Sequence, residues 1–322
     1  MSGLGMRDVL RFLRWDNREN ATMATPLTGN VSHVGSHAAA DDAPVVRTLT
    51  TADLGTALRK GLDDFKAVPS HAIILAIIYP VLGIVLARLA LGYSVMPLLF
   101  PLAAGFALIG PFAAIGLYEM SRRRELGEEP SAWQAFEVLR SPSFGAMLGL
   151  GVLLLALFVT WIATAQAIYE MTFGHAPAAT IPDFITRVLT TPDGWLLIVV
   201  GCGVGFLFAL FSLCVSVVSF PTMLDRHAGV AEAMVTSLRV VAANPLVIAM
   251  WGLIVAALLV IGTLPFFLGL AVVIPVLGHA TWHLYRLAVE PDTRPRYVPP
   301  PKIRHSAADF PVSLFPWTRD KR

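Results

Sequence analysis

FGAMLGLGVLLLALFVTWIATAQAIYEM, residues 144–171, is the stretch that decides the fold. The first charged side chain after Phe144 is Glu170. A helix rising about 1.5 Å per residue crosses a hydrocarbon core of about 30 Å in about 20 residues, so this run predicts a transmembrane helix. WLLIVVGCGVGFLFALFSLCVSVVSF, from Trp195 to Phe220, reads the same way. Toward the amino terminus, residues 71–91 and 95–120 form two further apolar runs separated by Gly92, Tyr93 and Ser94. Beyond Pro245 the apolar text is long enough for two spans, 246–264 and 266–286, broken at Thr263, Leu264 and Pro265. The expected fold is therefore all-α: a polytopic membrane helix bundle of about six transmembrane helices.

Composition excludes the main alternative. A chain of 322 residues would suit two soluble domains, but 56% of these residues are apolar and only 14% charged. Mean hydropathy is +0.67. The net charge of +2 gives no pull toward nucleic acid. Cys202 and Cys214 lie twelve residues apart on one predicted helix, about 18 Å, and cannot bridge to each other.

The remaining segments are polar. Residues 1–45 are read as a disordered cytoplasmic head with no apolar run of signal-peptide length, and residues 291–322 as a Pro-rich cytoplasmic tail. The membrane domain is residues 46–290. Within it, ALRKGLDDFKAVPSHAI from Ala57, SAWQAFEVLRSPSFGAM from Ser131 and AMVTSLRVVAANPLVI from Ala233 align, superposing Leu62, Phe136 and Leu238, and also Pro69, Ser143 and Pro245. Each precedes a pair of spans. The pattern predicts three tandem hairpins, each preceded by an amphipathic cytoplasmic helix, with the three aligned apolar residues in equivalent packing roles. The longest outside loop is Thr172–Gly194, with a short amphipathic helix in IPDFITRVLT.

Charge sets the orientation. With both termini inside, 22 of the 24 Lys and Arg residues face the cytoplasm, leaving Arg187 outside and Arg88 within the first span. The positive-inside rule thus predicts a multi-pass protein of the bacterial inner (cytoplasmic) membrane with both termini cytoplasmic. The triplet Arg122, Arg123 and Arg124 is expected at the anionic headgroups.

Few residues suggest chemistry. No Asp or Glu falls inside an apolar core, which argues against a proton-coupled carrier. Pro80, Pro97, Pro101, Pro111 and Pro275 read as packing kinks. Gly145 with Gly149 and Gly201 with Gly205 read as small-residue helix contacts. The sharpest local feature is GHATWHLYR, comprising Gly278, His279, Trp282, His283, Tyr285 and Arg286 at the end of the last span. Residues four apart share a helix face, so His279 and His283 are candidate ligands for a metal or a haem. The plainer reading is a hydrogen-bonded anchor, with Trp282 and Tyr285 at the headgroups, since no third ligand is identifiable. No catalytic constellation is present, and neither an enzyme nor a cofactor is expected.

Gly278–Arg286, preceded by VVIPVL, resembles the closing motif of the bacterial integral membrane proteins grouped as domain of unknown function 2189. The resemblance runs from about Asp53 to Val289 and implies location and shape only. Three functions are compatible with this text. The leading one is a non-enzymatic scaffold or accessory subunit, in contact with the lipid bilayer and with a membrane-protein partner or a second copy. The second is a small carrier or channel for a neutral solute, using Thr160, Thr164, Gln166, Ser212, Ser216 and Ser219. The third is a haem- or metal-binding protein using His279 and His283.

Overall fold

The computed structural model describes residues 44–68, 98, 101–102, 110–112, 114–128, 138–175, 180–265 and 268–291. The expected first span, half of the second, residues 131–137 and nearly all of both tails lie outside the described residues. Among the described residues the chain is helical throughout, apart from one antiparallel bridge pairing Val46 with Val289.

The α-helices among the described residues follow in chain order: α1 (Thr51–Ala67), α2 (Ile115–Glu125), α3 (Phe144–Phe173), α4 (Ile181–Thr190), α5 (Pro192–Ser216), α6 (Ser219–Arg226), α7 (Val230–Ala243), α8 (Pro245–Thr263) and α9 (Leu270–Ala288). Among the described residues three stretches are long and apolar enough to cross a membrane: α3, α5 continuing into α6, and α8. The first charged side chain along α3 comes so late that its backbone groups must bond to each other if the helix lies in hydrocarbon. Its buried residues, Met147, Leu150, Gly151, Leu154, Trp161, Ala165 and Ile168, trace one narrow seam at helical spacing. Trp161 of that seam stacks near Phe208 of α5, with ring centroids 5.6 Å apart, and donates from Nε1 to the carbonyl of Pro101 at 2.9 Å. The rest of the surface is apolar and exposed: Leu148, Val152, Leu155 and Val159 on α3, Val199, Phe206 and Leu207 on α5, Leu253 and Val260 on α8. Such a surface would be costly in water and is at ease against lipid.

α9 has the opposite character. From Leu277 onward it is buried on nearly every side, by α1, α2, α6 and α8. α1 makes the most extensive contact with it. The stripe Leu54, Ala57, Gly61 and Asp64 faces inward, at three- and four-residue steps. A Cβ on Gly61 would stand 2.6 Å from the amide nitrogen of Ala280 and 2.7 Å from the carbonyl oxygen of Val276, so the two backbones meet where glycine alone fits. Asp53 starts α1, its carboxylate accepting from the backbone N–H of Thr50 at 2.7 Å and from its hydroxyl at 2.8 Å.

α1 and α7 are both helices, and their buried faces occupy the same aligned positions: Ala57 with Ala233, Gly61 with Ser237, Asp64 with Val240. Val138, aligned with the last pair, is buried too. The closest packing therefore falls one residue before the aligned leucines, at Gly61 and Ser237. Leu62 and Leu238 are 37% and 39% exposed, while Phe136 lies outside the described residues. Amphipathicity alone favoured the larger apolar side chain, whereas close helix approach selected the small residues beside it.

Replacing Gly61 by valine should strip α1 from α9 and lower stability by about 1–3 kcal/mol, the usual cost of forcing extra atoms into a packed contact. Alanine at Gly55, which has open space around it, should be neutral or gain about 0.5–1 kcal/mol. Unfolding of the detergent-solubilised variants measures both.

Candidate functional site

One end of the described bundle is held by charge. Asp64, on the buried stripe of α1, is 6% exposed. Its Oδ2 accepts from the hydroxyl of Ser121 on α2 at 2.6 Å and from Nε2 of His283 on α9 at 2.8 Å. Its Oδ1 accepts from the guanidinium of Arg124. The single hydroxyl proton of Ser121 is thus committed to Asp64. The 2.8 Å contact between Ser121 Oγ and Nδ1 of His279 therefore places a proton on that ring nitrogen. Burial alone would push the Asp64 carboxyl up. The hydrogen bonds from His283 and Ser121, with the charge of the two imidazoles, outweigh it and hold this carboxyl below its usual range.

Three further carboxylates collect the neighbouring cations. Glu119, 3% exposed, accepts from Arg122 Nε at 2.7 Å and Nη2 at 2.8 Å, and from Arg123 Nε at 2.6 Å. Asp225 at the end of α6 accepts from the Tyr285 hydroxyl at 2.8 Å and from Arg286 Nη1 at 3.2 Å. Glu125 accepts from Trp282 Nε1 at 3.1 Å and from Arg286 Nε at 3.0 Å. Beside this network the ends of the domain are strapped together. Arg47 N–H donates to the Ala288 carbonyl at 2.8 Å, and Glu290 N–H to that of Val45 at 3.0 Å. Asn244 accepts from Leu49 N–H at 2.6 Å and donates to the Arg47 carbonyl at 3.0 Å.

The motif from Gly278 to Arg286 is brought together here, in a setting other than a headgroup anchor. Trp282 and Tyr285 are fully buried, each with a carboxylate partner. An aromatic ring with one polar atom suits an interface, but it suits equally a packed core that offers an acceptor, and here the acceptor is supplied by α2 and α6. A Cβ on Gly278 would stand 2.5 Å from Cδ1 of Leu117, so this glycine lets α9 close on α2. The Arg122–Arg124 triplet, expected at lipid headgroups, is engaged by Glu119, Glu128 and Asp64.

Asp64, Ser121, Glu125 and Asp225 are not singled out by the sequence, and Arg124 enters it only through the triplet expected at headgroups. For Asp64 a signal existed: it closes the Leu54, Ala57, Gly61 stripe, so the helical period already pointed a carboxylate inward. For the other four nothing local signals the contact each makes.

Chemically, the cluster can hold a proton at His279 Nδ1 and relay it through Ser121 Oγ to Asp64 Oδ2. It does not assemble a nucleophile, because the hydroxyl stands between the acid and the imidazole and its proton points at the acid. Among the described residues no group of three or more His, Cys, Asp or Glu is placed to hold a metal ion.

Comparison with known families gives one match. Residues 98–225 match DUF2189, a family of predicted integral membrane proteins. The DUF2189 match covers α2 through α6 and so includes Ser121, Arg124, Glu125 and Asp225. It leaves out α1 and the Gly278–Arg286 motif on which the resemblance was first read. No curated protein and no solved structure matches the chain. It is an integral membrane protein, and the DUF2189 description assigns no activity.

Asn at Asp64 keeps the shape and removes the charge that faces Arg124 and His283, so it should cost about 3 kcal/mol, as for other buried pairs that lose one partner. Because the folded carboxyl is depressed, its contribution is present above the ordinary value of 3.8 and lost as pH falls through the folded value. Wild-type unfolding midpoints should therefore approach those of Asp64→Asn below about pH 4 and separate from them as pH rises, which thermal melts across that range would show.

Proposed function

We propose that this chain is a non-enzymatic scaffold or accessory subunit of the bacterial inner membrane, six-spanning, with both termini cytoplasmic. The observation that carries this reading is where its buried polar groups are spent. Buried Asp64 and Asp225, with Glu125 at the rim, are consumed in joining α1, α2, α6 and α9 to one another, while buried Glu119 holds Arg122 and Arg123 of its own helix. That use of charge fixes a shape and serves no reaction.

The carrier reading draws less support. Thr160 and Thr164 donate to the carbonyls one turn back in their own helix, at 2.8 Å each, and so does Ser216, at 2.6 Å. Ser219 donates to Val215 and to Ala233 of α7. Gln166 donates to Glu170 at 2.7 Å. Hydroxyls satisfied by their own backbone do not line a path for solute. For the metal reading, His279 and His283 are engaged by Ser121 and Asp64.

Three tandem units explain the packing economically. α7, the amphipathic helix of the third unit, packs on α5 and α6, the second span of the unit before it. There Ser237 donates to the Cys214 carbonyl at 2.7 Å. α1, the amphipathic helix of the first unit, packs on α9, the second span of the last unit. Each such helix would then close on the preceding unit around a ring, with Gly61 and Ser237 at the matching points of closest approach.

Two experiments test this. Reporter fusions at residue 322 and within 172–194 should show a cytoplasmic carboxyl terminus and an outside loop, and a periplasmic signal at 322 would contradict the orientation. Proteoliposomes loaded with the chain should swell in neutral solutes no faster than empty vesicles, while native gels of mildly solubilised membranes show the chain in a larger complex. Rapid swelling would favour the carrier.

A further inference from the structure

We propose that α4 lies in the plane of the membrane surface, with Ile185 and Leu189 seated in the boundary between headgroups and acyl chains of neutral lipid. The helix joins α3 to α5, both long and apolar enough to cross a membrane, so it sits at their shared end. Its bounds are sharply defined. Thr180 Oγ1 accepts from Asp183 N–H at 3.2 Å, and Thr191 Oγ1 from Gly194 N–H at 3.0 Å, with Pro182 and Pro192 in the following first turns.

At about 100° per residue, three faces separate around α4. Phe184 and Val188 share one face and are half-buried. Phe184 meets Tyr169 and Phe173 of α3 at ring-centroid distances of 6.3 and 6.5 Å, and Arg187 beside it lies 4.7 Å over the Phe173 ring. Ile185 and Leu189 form the next face, 49% and 54% exposed. Asp183, Thr186 and Thr190 form the third, all exposed. A helix flanked by protein on one side, with an apolar stripe and then a polar one, matches an interfacial helix with lipid beneath and water above.

Exposed apolar residues carry this character on along the chain in both directions, at Met171 near the end of α3 and at Trp195 and Leu196 near the start of α5. That continuity argues for lipid as the occupant rather than a protein partner. Charge argues for neutral lipid. The one basic side chain on α4, Arg187, already lies over Phe173, and Asp183 and Asp193 flank it in sequence, so nothing here selects an anionic headgroup.

Spin labels at positions 183, 185, 189 and 190 test this, one at a time, in full-length protein carrying Cys202→Ser and Cys214→Ser and reconstituted in phosphatidylcholine vesicles. Labels at 185 and 189 should collide more with oxygen than with a water-soluble nickel chelate, and labels at 183 and 190 the reverse. Equal nickel access at all four sites would mean a helix in water and overturn the proposal. Low collision with both reagents at 185 and 189 would mean a protein cover, a second copy included, and would also overturn it. So would a lipid signature that arises only when phosphatidylglycerol is added. The labelled positions are all exposed, so folding is preserved. Ile185→Asp serves as a second variant, expected to weaken vesicle association of α4 without disturbing the Asp64 network at the other end.

Discussion

A charged carboxylate removed from water must be compensated or neutralised, and Asp64 is the side chain on which that constraint falls hardest in this molecule. It is held by a hydroxyl from α2, an imidazole from α9 and a guanidinium from the end of α2. Each donor belongs to an element distant in the chain from α1. The carboxylate therefore converts three independent helix ends into one joint, and the close contact at Gly61 brings α1 near enough for the joint to form. The Asp225 and Glu125 pairs extend it toward α6.

The helical class and three of the long apolar helices are legible in the sequence, and the reason is physical. Hydrocarbon imposes length and apolarity on each spanning helix locally, so α3, α5 and α8 are visible in 20-residue windows. The joint is a different case. Whether Ser121 is buried and Arg124 finds a carboxylate depends on which helix lies across them, and no window around either residue carries that information. GHATWHLYR stands out in the sequence because His, Trp, Tyr and Arg cluster within nine residues, but the partners that bury Trp282 and Tyr285 do not. The same residue types serve a headgroup boundary and a buried polar core equally, and only the presence of Glu125, Asp225, Ser121 and Asp64 across from them decides between the two.

The division between an apolar, exposed mid-section and a polar, interlocked end bears on function. Lipid can accept the surfaces of α3, α5 and α8 without selection for any particular side chain. The other end is fully specified, because each carboxylate there answers a particular cation. A protein whose specificity is concentrated in the joining of its own helices presents a fixed platform at that end, and the strap of Val46 against Val289, with Asn244 bracing it, brings both ends of the domain to the same platform.

The most direct test of this account is a double-mutant cycle between Asp64 and His283, using Asp64→Asn, His283→Gln and the pair, with unfolding free energies measured in one detergent at neutral pH. If the carboxylate and the imidazole form the joint, the two losses should fall short of additivity by about 1–3 kcal/mol. Additive losses, to within about 0.5 kcal/mol, would mean that α1 and α9 are held by apolar packing alone and that Asp64 does not weld the helices together.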